Sequence, residues 1–231
     1  MFSKLQLLRS YLHAIPLEEA SSTYNPYLQV SLRRGRIRLC AANTTYSYQD
    51  LYVNFYAVFK RLQLQRRRLG KVLVLGFGLG SIPYMLQRRF GQQNAQYVGV
   101  DIDDVILRLA KKYMPADILP NLTLHCADAL EWVKNPDNRP KEGYDLVAVD
   151  IFIDRNTPSP FTSVEFLTAA KALLNPETGV LAYNALADVP EQRQIAQQFY
   201  DQTFSQVFEH ALPIHTTYNL MLVHDPLKNK Q

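Results

Sequence analysis

The chain has 231 residues, enough for one α/β unit with a small appendage. Its hydrophobic share of 47% and net charge of +4 are those of a globular protein, and no stretch is apolar and charge-free enough to span a bilayer. The first sixteen residues lack both a continuous apolar segment and a small-residue cleavage site, so they do not read as a signal peptide. Cys40 and Cys126 fall in separate predicted strands with no disulfide or metal-ligand spacing. They point to a reducing, cytoplasmic setting and to no metal site.

In chain order, residues 2–15 read as a short helix. Residues 26–50 alternate as strands do, Tyr27-Leu-Gln-Val-Ser-Leu followed by Arg36-Ile-Arg-Leu-Cys, with Arg34-Gly35 as the tip of a short β-hairpin. A helix is expected over 47–65 from the spacing of Leu51, Phe55, Val58, Phe59 and Leu62. Residues 1–65 thus form the appendage and 66–231 the α/β unit. From Gly70 onward strands at 71–75, 96–101, 121–125, 144–149, 179–184, 205–211 and 217–224 alternate with helices at 80–90, 103–113, 127–134, 162–174 and 190–203. That pattern predicts a seven-stranded, mostly parallel sheet with helices on both faces and an antiparallel hairpin at its C-terminal end. The basic clusters Arg33-Arg34-Gly35-Arg36-Ile37-Arg38 and Arg66-Arg67-Arg68 read as a solvated hairpin tip and a solvated helix end. No aromatic residues interleave them, so no nucleic-acid partner is expected.

The chemistry concentrates after the first strand of the α/β unit. Lys71-Val-Leu-Val-Leu-Gly-Phe-Gly-Leu-Gly80 runs from an apolar strand into a turn whose Gly76, Gly78 and Gly80 permit tight bending and close approach of a ligand. A dinucleotide loop would carry a glycine at 81, where this chain has Ser81. The G-x-G-x-G spacing suits an S-adenosylmethionine fold instead. Three acids follow strand ends. Asp101, with Ile102 beside it, closes the second strand and suits the ribose hydroxyls. Asp128 and Ala129 follow the third strand, where an adenine amino group would lie. Asp150 follows the fourth, at the carboxyl edge where open α/β sheets bind ligands. The expectation is a Rossmann-like class I methyltransferase fold holding S-adenosylmethionine or its decarboxylated form.

With these residues in place, the chain resembles the spermidine synthase superfamily over residues 25–225. The segments that carry the resemblance are Val100-Asp-Ile-Asp103, Ala110-Lys-Lys-Tyr-Met-Pro115, Tyr144-Asp-Leu-Val-Ala-Val-Asp150 and Pro160-Phe-Thr-Ser-Val-Glu-Phe166. Tyr48-Gln-Asp50 resembles the Tyr-His-Glu segment that closes over the amine substrate. The resemblance implies a small-molecule acceptor and a homodimer. The chain departs from the family pattern in several respects, beginning with Gln49 and Asp50 in place of the histidine and glutamate of the Tyr-His-Glu segment. Leu79 stands where the synthases carry an acid. The catalytic strand ends Asp150-Ile-Phe-Ile-Asp154 rather than Asp-Ser-Ser-Asp. The appendage is also shorter.

Asp150 is the expected catalytic residue, as a base or as a partner of the cofactor's amino group. Tyr48, Phe152, Asp154 and Tyr183 are the expected substrate contacts, with Asn184 beside Tyr183. A diamine acceptor needs a second acid for its far ammonium, and Asp154, Asp50 and Glu165 are the available ones. Methyl transfer asks mainly for alignment of the nucleophile with the sulfonium, and the apolar Ile151-Phe152 pair favours it narrowly over aminopropyl transfer. A non-catalytic adenosyl-binding or dimerisation module is the third reading.

Overall fold

The structure is a computed structural model, and it describes residues 2–41, 44–153 and 156–228. Chain order begins with helix α1 (Lys4–Leu12), started by a Ser3–Gln6 capping box. Strands β1 (Ile15–Ala20), β2 (Leu28–Arg33), β3 (Arg36–Ala41) and β4 (Thr44–Ser47) then form an antiparallel sheet in sequential order. The appendage is therefore a four-stranded sheet rather than a lone hairpin. The β2–β3 hairpin turns at Arg34-Gly35, both at positive φ (51° and 70°), with Arg33 opposite Arg36. The missed β1 contains Pro16 and paired Glu18-Glu19, poor strand formers, and it pairs only at the sheet edge with an irregular register there.

The expected helix over 47–65 shortens to α2 (Val53–Arg61), flanked by 3-10 turns at Gln49–Leu51 and Leu64–Arg66. The α/β unit follows as β5 (Lys71–Leu75), α3 (Ser81–Phe90), β6 (Gln96–Asp101), α4 (Asp104–Tyr113), β7 (Leu122–Cys126), α5 (Ala129–Lys134), β8 (Leu146–Val149), α6 (Val164–Ala172), β9 (Val180–Leu186) and α7 (Pro190–Phe199). It closes with α8 (Ser205–Val207), β10 (Leu212–His215) and β11 (Asn219–His224).

The large sheet has the order β10-β11-β9-β8-β5-β6-β7. All pairs from β7 to β9 are parallel, and β11 is antiparallel to both its neighbours. The chain builds outward from β5 to β7, then returns to the other side of β5 at β8. That reversal is the switch point at which ligands bind beyond the carboxyl ends of the strands.

Residues 205–211 are not a strand. The helix of α7 runs on through a π-helical turn at Tyr200–Phe204 into α8, and β10 begins at Leu212. The spacing of Phe204, Val207 and Phe208 is helical, and the extra residue in the π turn brings Phe199 and Phe204 together under Tyr183.

Strand alternation divides the core between the two faces of the sheet. Val72, Val74, Leu146, Ala148, Val180 and Ala182 pack with α2, α3 and α4, while Leu73, Leu75, Val147, Val149, Leu181 and Tyr183 pack with α5, α6 and α7. The first cluster also takes in Leu28, Val30 and Leu39 of the small sheet, so the appendage and the α/β unit share one core.

Candidate functional site

A cavity of about 290 Å³ opens over the carboxyl ends of β5, β6, β7 and β8. Gly76 sits one residue past β5 at φ 80°, and a Cβ there would lie 2.2 Å from the Asp150 carbonyl oxygen. Its glycine identity is thus what lets β5 and β8 close at the cavity floor. Gly78 also lines the cavity. Gly80 does not; it caps the start of α3 and abuts Met114 and Phe77. Ser81, in the place of a third Rossmann glycine, is buried, exchanges a 2.7 Å hydrogen bond with Ser47 and accepts the Tyr48 N–H at 2.8 Å. It fastens the small sheet to the start of α3.

The glycine loop spends its N–H groups within the protein. Gly76 N–H donates to the Val100 carbonyl at 2.9 Å, and Gly80 N–H to that of Phe77 at 3.0 Å. Gly78 N–H donates to Asp101 Oδ2 at 3.1 Å. In a phosphate-binding loop such donors face the ligand. Here the anion held by Gly78 is the chain's own Asp101, which matches a nucleoside ligand without a pyrophosphate.

Asp101 accepts a second backbone bond on Oδ1, from Asp103 N–H at 3.1 Å. Burial pushes its carboxyl up to about 6, against the pull of these backbone donors. Asp103 caps α4 through Val105 N–H and Ile106 N–H, and it also accepts from the hydroxyl of Ser22 and from Asn25 Nδ2 at 2.8 Å. The β1–β2 loop is thereby tied to the end of β6, and its Tyr24 and Asn25 line the cavity beside Ile102. Asp128 caps α5 with Oδ1, which accepts from Leu130 N–H at 2.7 Å. It lines the cavity with Ala129 and Leu130.

Asp150 follows β8 in phase with Leu146 and Ala148, which puts it on the α2 side of the sheet. The Tyr52 hydroxyl donates to its Oδ1 at 3.0 Å, and Asn184 Nδ2 donates to the same oxygen at 2.8 Å. Burial pushes the Asp150 carboxyl up to about 7, with the two donors pulling it down and the nearby Asp101 pushing it further up. The two donors both use Oδ1, so Oδ2 is left for a ligand. Burial and the neighbouring Asp150 raise the Tyr52 hydroxyl well above its usual range, so Tyr52 stays a donor. Asn184 is 1% exposed, and its Oδ1 is buried with no hydrogen-bond partner.

The expected contacts separate in space. Gly76, Gly78, Asp101, Ile102, Asp128, Ala129, Asp150 and Phe152 line the cavity. Tyr183 does not: strand alternation turns it to the opposite face, where it packs on Phe199 and Phe204 and donates to the Phe161 carbonyl at 3.2 Å. Tyr48 is also off the cavity wall. Its hydroxyl donates to the Arg33 carbonyl, and Tyr46 lines the cavity instead. Asp154 lies outside the described residues. Asp50 is buried between Arg36 and Arg89, and Glu165 pairs with Lys134 at 3.0 Å. Leu79 is a core residue at 6% exposure and does not line the cavity.

Nothing local in the sequence points to Asn25 or Tyr24. Tyr52 stands out there only as one of four closely spaced tyrosines, Tyr46, Tyr48, Tyr52 and Tyr56, that could form an aromatic lid or pack on the core, and nothing local distinguishes it from Tyr56, which packs on Phe90.

The cavity fits an adenosyl sulfonium. It has an acid at the end of β6, a capped acid just past the end of β7, apolar walls from Ile102, Ile106 and Leu130, and a floor in which Gly76 lets β5 approach the Asp150 backbone. Among the described residues, no helix is long and apolar enough to cross a membrane.

Residues 72–177 match the family described as a methyltransferase domain. The chain is 28% identical over 117 residues to a polyamine aminopropyltransferase of Vibrio vulnificus, a match covering 51% of this chain and 38% of that relative. It is 29% identical over 199 residues to a protein of Bifidobacterium longum named "Probable polyamine aminopropyl transferase", covering 82% of this chain and 42% of the relative. The matches therefore span about two fifths of those relatives' length. The fold overlays that of spermidine synthase from Thermotoga maritima with a TM-score of 0.67 at 14% identity, covering 92% of this chain and 73% of that one.

Proposed function

We propose that the chain, which has the fold of the spermidine synthases and is 28% and 29% identical to two polyamine aminopropyltransferase relatives over parts of their length, transfers an aminopropyl group from decarboxylated S-adenosylmethionine to an amine. One observation carries this reading. The described residues that line the cavity include Asp101, Asp103, Asp128 and Asp150 and no lysine, arginine or histidine. A donor with a sulfonium and an ammonium but no carboxylate complements such a wall. The carboxylate of S-adenosylmethionine would meet like charge with no side-chain cation to pair it. This reverses the narrow preference for methyl transfer, which rested on Ile151, Phe152 and the loss of the acid at Leu79.

In the reaction, the amine nitrogen attacks the methylene carbon bonded to the sulfonium. The carbon–sulfur bond breaks, its electron pair stays on sulfur, and methylthioadenosine leaves. The Asp150 carboxylate takes the proton lost by nitrogen. A carboxyl titrating at about 7 suits that role near neutral pH. Tyr52 and Asn184 hold Oδ1 and so fix the direction of Oδ2.

Titration calorimetry with the two donors tests the reading. The decarboxylated form is expected to bind at least about tenfold more tightly. Equal or tighter binding of S-adenosylmethionine refutes it in favour of methyl transfer, the reading that the methyltransferase-domain match supports.

A further inference from the structure

We propose that the outer face of α1, with the arginines of the β2–β3 turn beside it, docks the protein on an anionic lipid surface. The face lies outside the cavity, and the proposal does not depend on which group the protein transfers.

α1 is attached by one side only. Ser10 is its buried residue and carries the attachment. The Arg34 N–H donates to the Ser10 carbonyl at 2.8 Å, and the Gly35 N–H donates to the Ser10 hydroxyl at 2.9 Å. Leu5, Leu8 and Leu12 recur at the i, i+3, i+7 spacing of one helix face, and Tyr11 adjoins Leu8 one turn on. At about 100° per residue, that face lies opposite Ser10. Leu5, Leu8, Leu12 and Tyr11 are 65%, 69%, 81% and 62% exposed, and none of them belongs to the core on either side of the large sheet. A surface helix of a globular protein turns its leucines inward. This one turns them outward, and a contiguous apolar patch of that kind marks an interaction surface.

The rim of the face is cationic. Lys4 and Arg9 flank it on the helix, and Arg33 and Arg34 stand at the turn bonded to Ser10. Among the described residues, none of these four makes an ion pair. Arg36, by contrast, is spent on Asp50. Residues 1–17 contain no acid, and the first one, Glu18, is held by Arg108 and Lys112.

Charge and area together choose the occupant. A second copy bound about a two-fold axis through this face would set Lys4, Arg9, Arg33 and Arg34 against the same four residues, with no acid between them. A helix of nine residues is about 14 Å long and about 10 Å wide, a small part of the roughly 800 Å² that each partner of a stable dimer buries. A lipid surface asks for neither self-complementarity nor that area. The leucines and Tyr11 enter the boundary between headgroups and acyl chains, and the four cations meet the headgroup phosphates. At nine residues α1 lies on such a surface and does not span it.

The test is co-sedimentation of the protein with vesicles of phosphatidylcholine alone and of phosphatidylcholine mixed with phosphatidylglycerol. Binding is expected to be at least about tenfold tighter to the anionic vesicles and to weaken as salt rises. The double variant Leu8→Gln, Leu12→Gln keeps good helix formers and should lose at least about tenfold in affinity. The double variant Arg33→Gln, Arg34→Gln should lose about tenfold. Both should keep the melting temperature of the unaltered protein, because the substituted side chains lie outside the core. Absence of binding to anionic vesicles, or equal binding to both kinds, overturns the proposal. So does vesicle binding that neither variant weakens. A dimer in sedimentation velocity that Leu8→Gln, Leu12→Gln dissociates also overturns it and assigns the face to a second copy.

Discussion

Replacing Tyr52 by phenylalanine removes one of the two hydrogen bonds that favour the charged form of Asp150. The ring remains, so its stacking on Phe55 at 6.0 Å survives and no buried polar atom is orphaned by the change. A hydrogen bond to a charged acceptor is worth about 1.5–3 kcal/mol, and about 1.36 kcal/mol moves a titration midpoint by one pH unit. At the low end of that range, the Asp150 midpoint rises by about one pH unit from its starting point of about 7. Asp150 accepts a proton only when ionised, so activity grows as pH rises through the midpoint. At pH 7 the ionised fraction falls from about one half to about one tenth, a roughly fivefold loss in kcat/KM that disappears above about pH 9. The measurement is the pH profile of kcat/KM for methylthioadenosine release, which reports groups of the free enzyme. An acid limb that overlays the wild type refutes both the hydrogen-bond argument and the role of Asp150 as base.

Asp101→Asn should weaken binding of methylthioadenosine by about 1–3 kcal/mol in calorimetry, through loss of charged hydrogen bonds to the ribose. Unchanged affinity would place the ribose elsewhere. Asp150→Asn should stabilise the unliganded protein at pH 8. The folded-state midpoint of about 7 lies above the ordinary carboxylate value of 3.8, so the stability due to this group is complete at low pH and is lost as pH rises through 7. An amide avoids that loss, and a gain of about 1–2 kcal/mol appears as a melting temperature higher by about 2–8 °C at pH 8 and little changed at pH 4. Gly76→Ala should cost well over about 1 kcal/mol in urea unfolding and abolish nucleoside binding, because its Cβ meets the Asp150 backbone. Gly91→Ala, also at positive φ but with open space around the new Cβ, should cost only about 1–2 kcal/mol and leave binding intact. Equal losses in the two variants would show that backbone strain alone, not the close approach, governs Gly76.

Much of the cavity wall was legible in the sequence because its signals are local. A period of two, a glycine turn and an acid one or two residues past a strand end together place Gly76, Asp101, Asp128 and Asp150 along one edge of a sheet. The same alternation also shows why the expectation for Tyr183 differs from its position in the structure. Only one of two consecutive strand residues can share a face with Asp150, and that residue is Asn184. Leu79, a departure from the family pattern in the sequence, fills core in space.

The sequence by itself determined the α/β architecture, the nucleoside loop and the three acids, since each depends on backbone geometry and residue type within a few positions. Tertiary structure alone decided what surrounds those acids. Tyr52 reaches Asp150 across 98 residues of chain, and Asn25 reaches Asp103 across 78. Such contacts exist only because the small sheet and α2 share a core with the large sheet, and desolvation by that shared packing is what raises Asp150 to about 7. The identity of a carboxylate is written in one residue, while its proton affinity is set by every element packed around it.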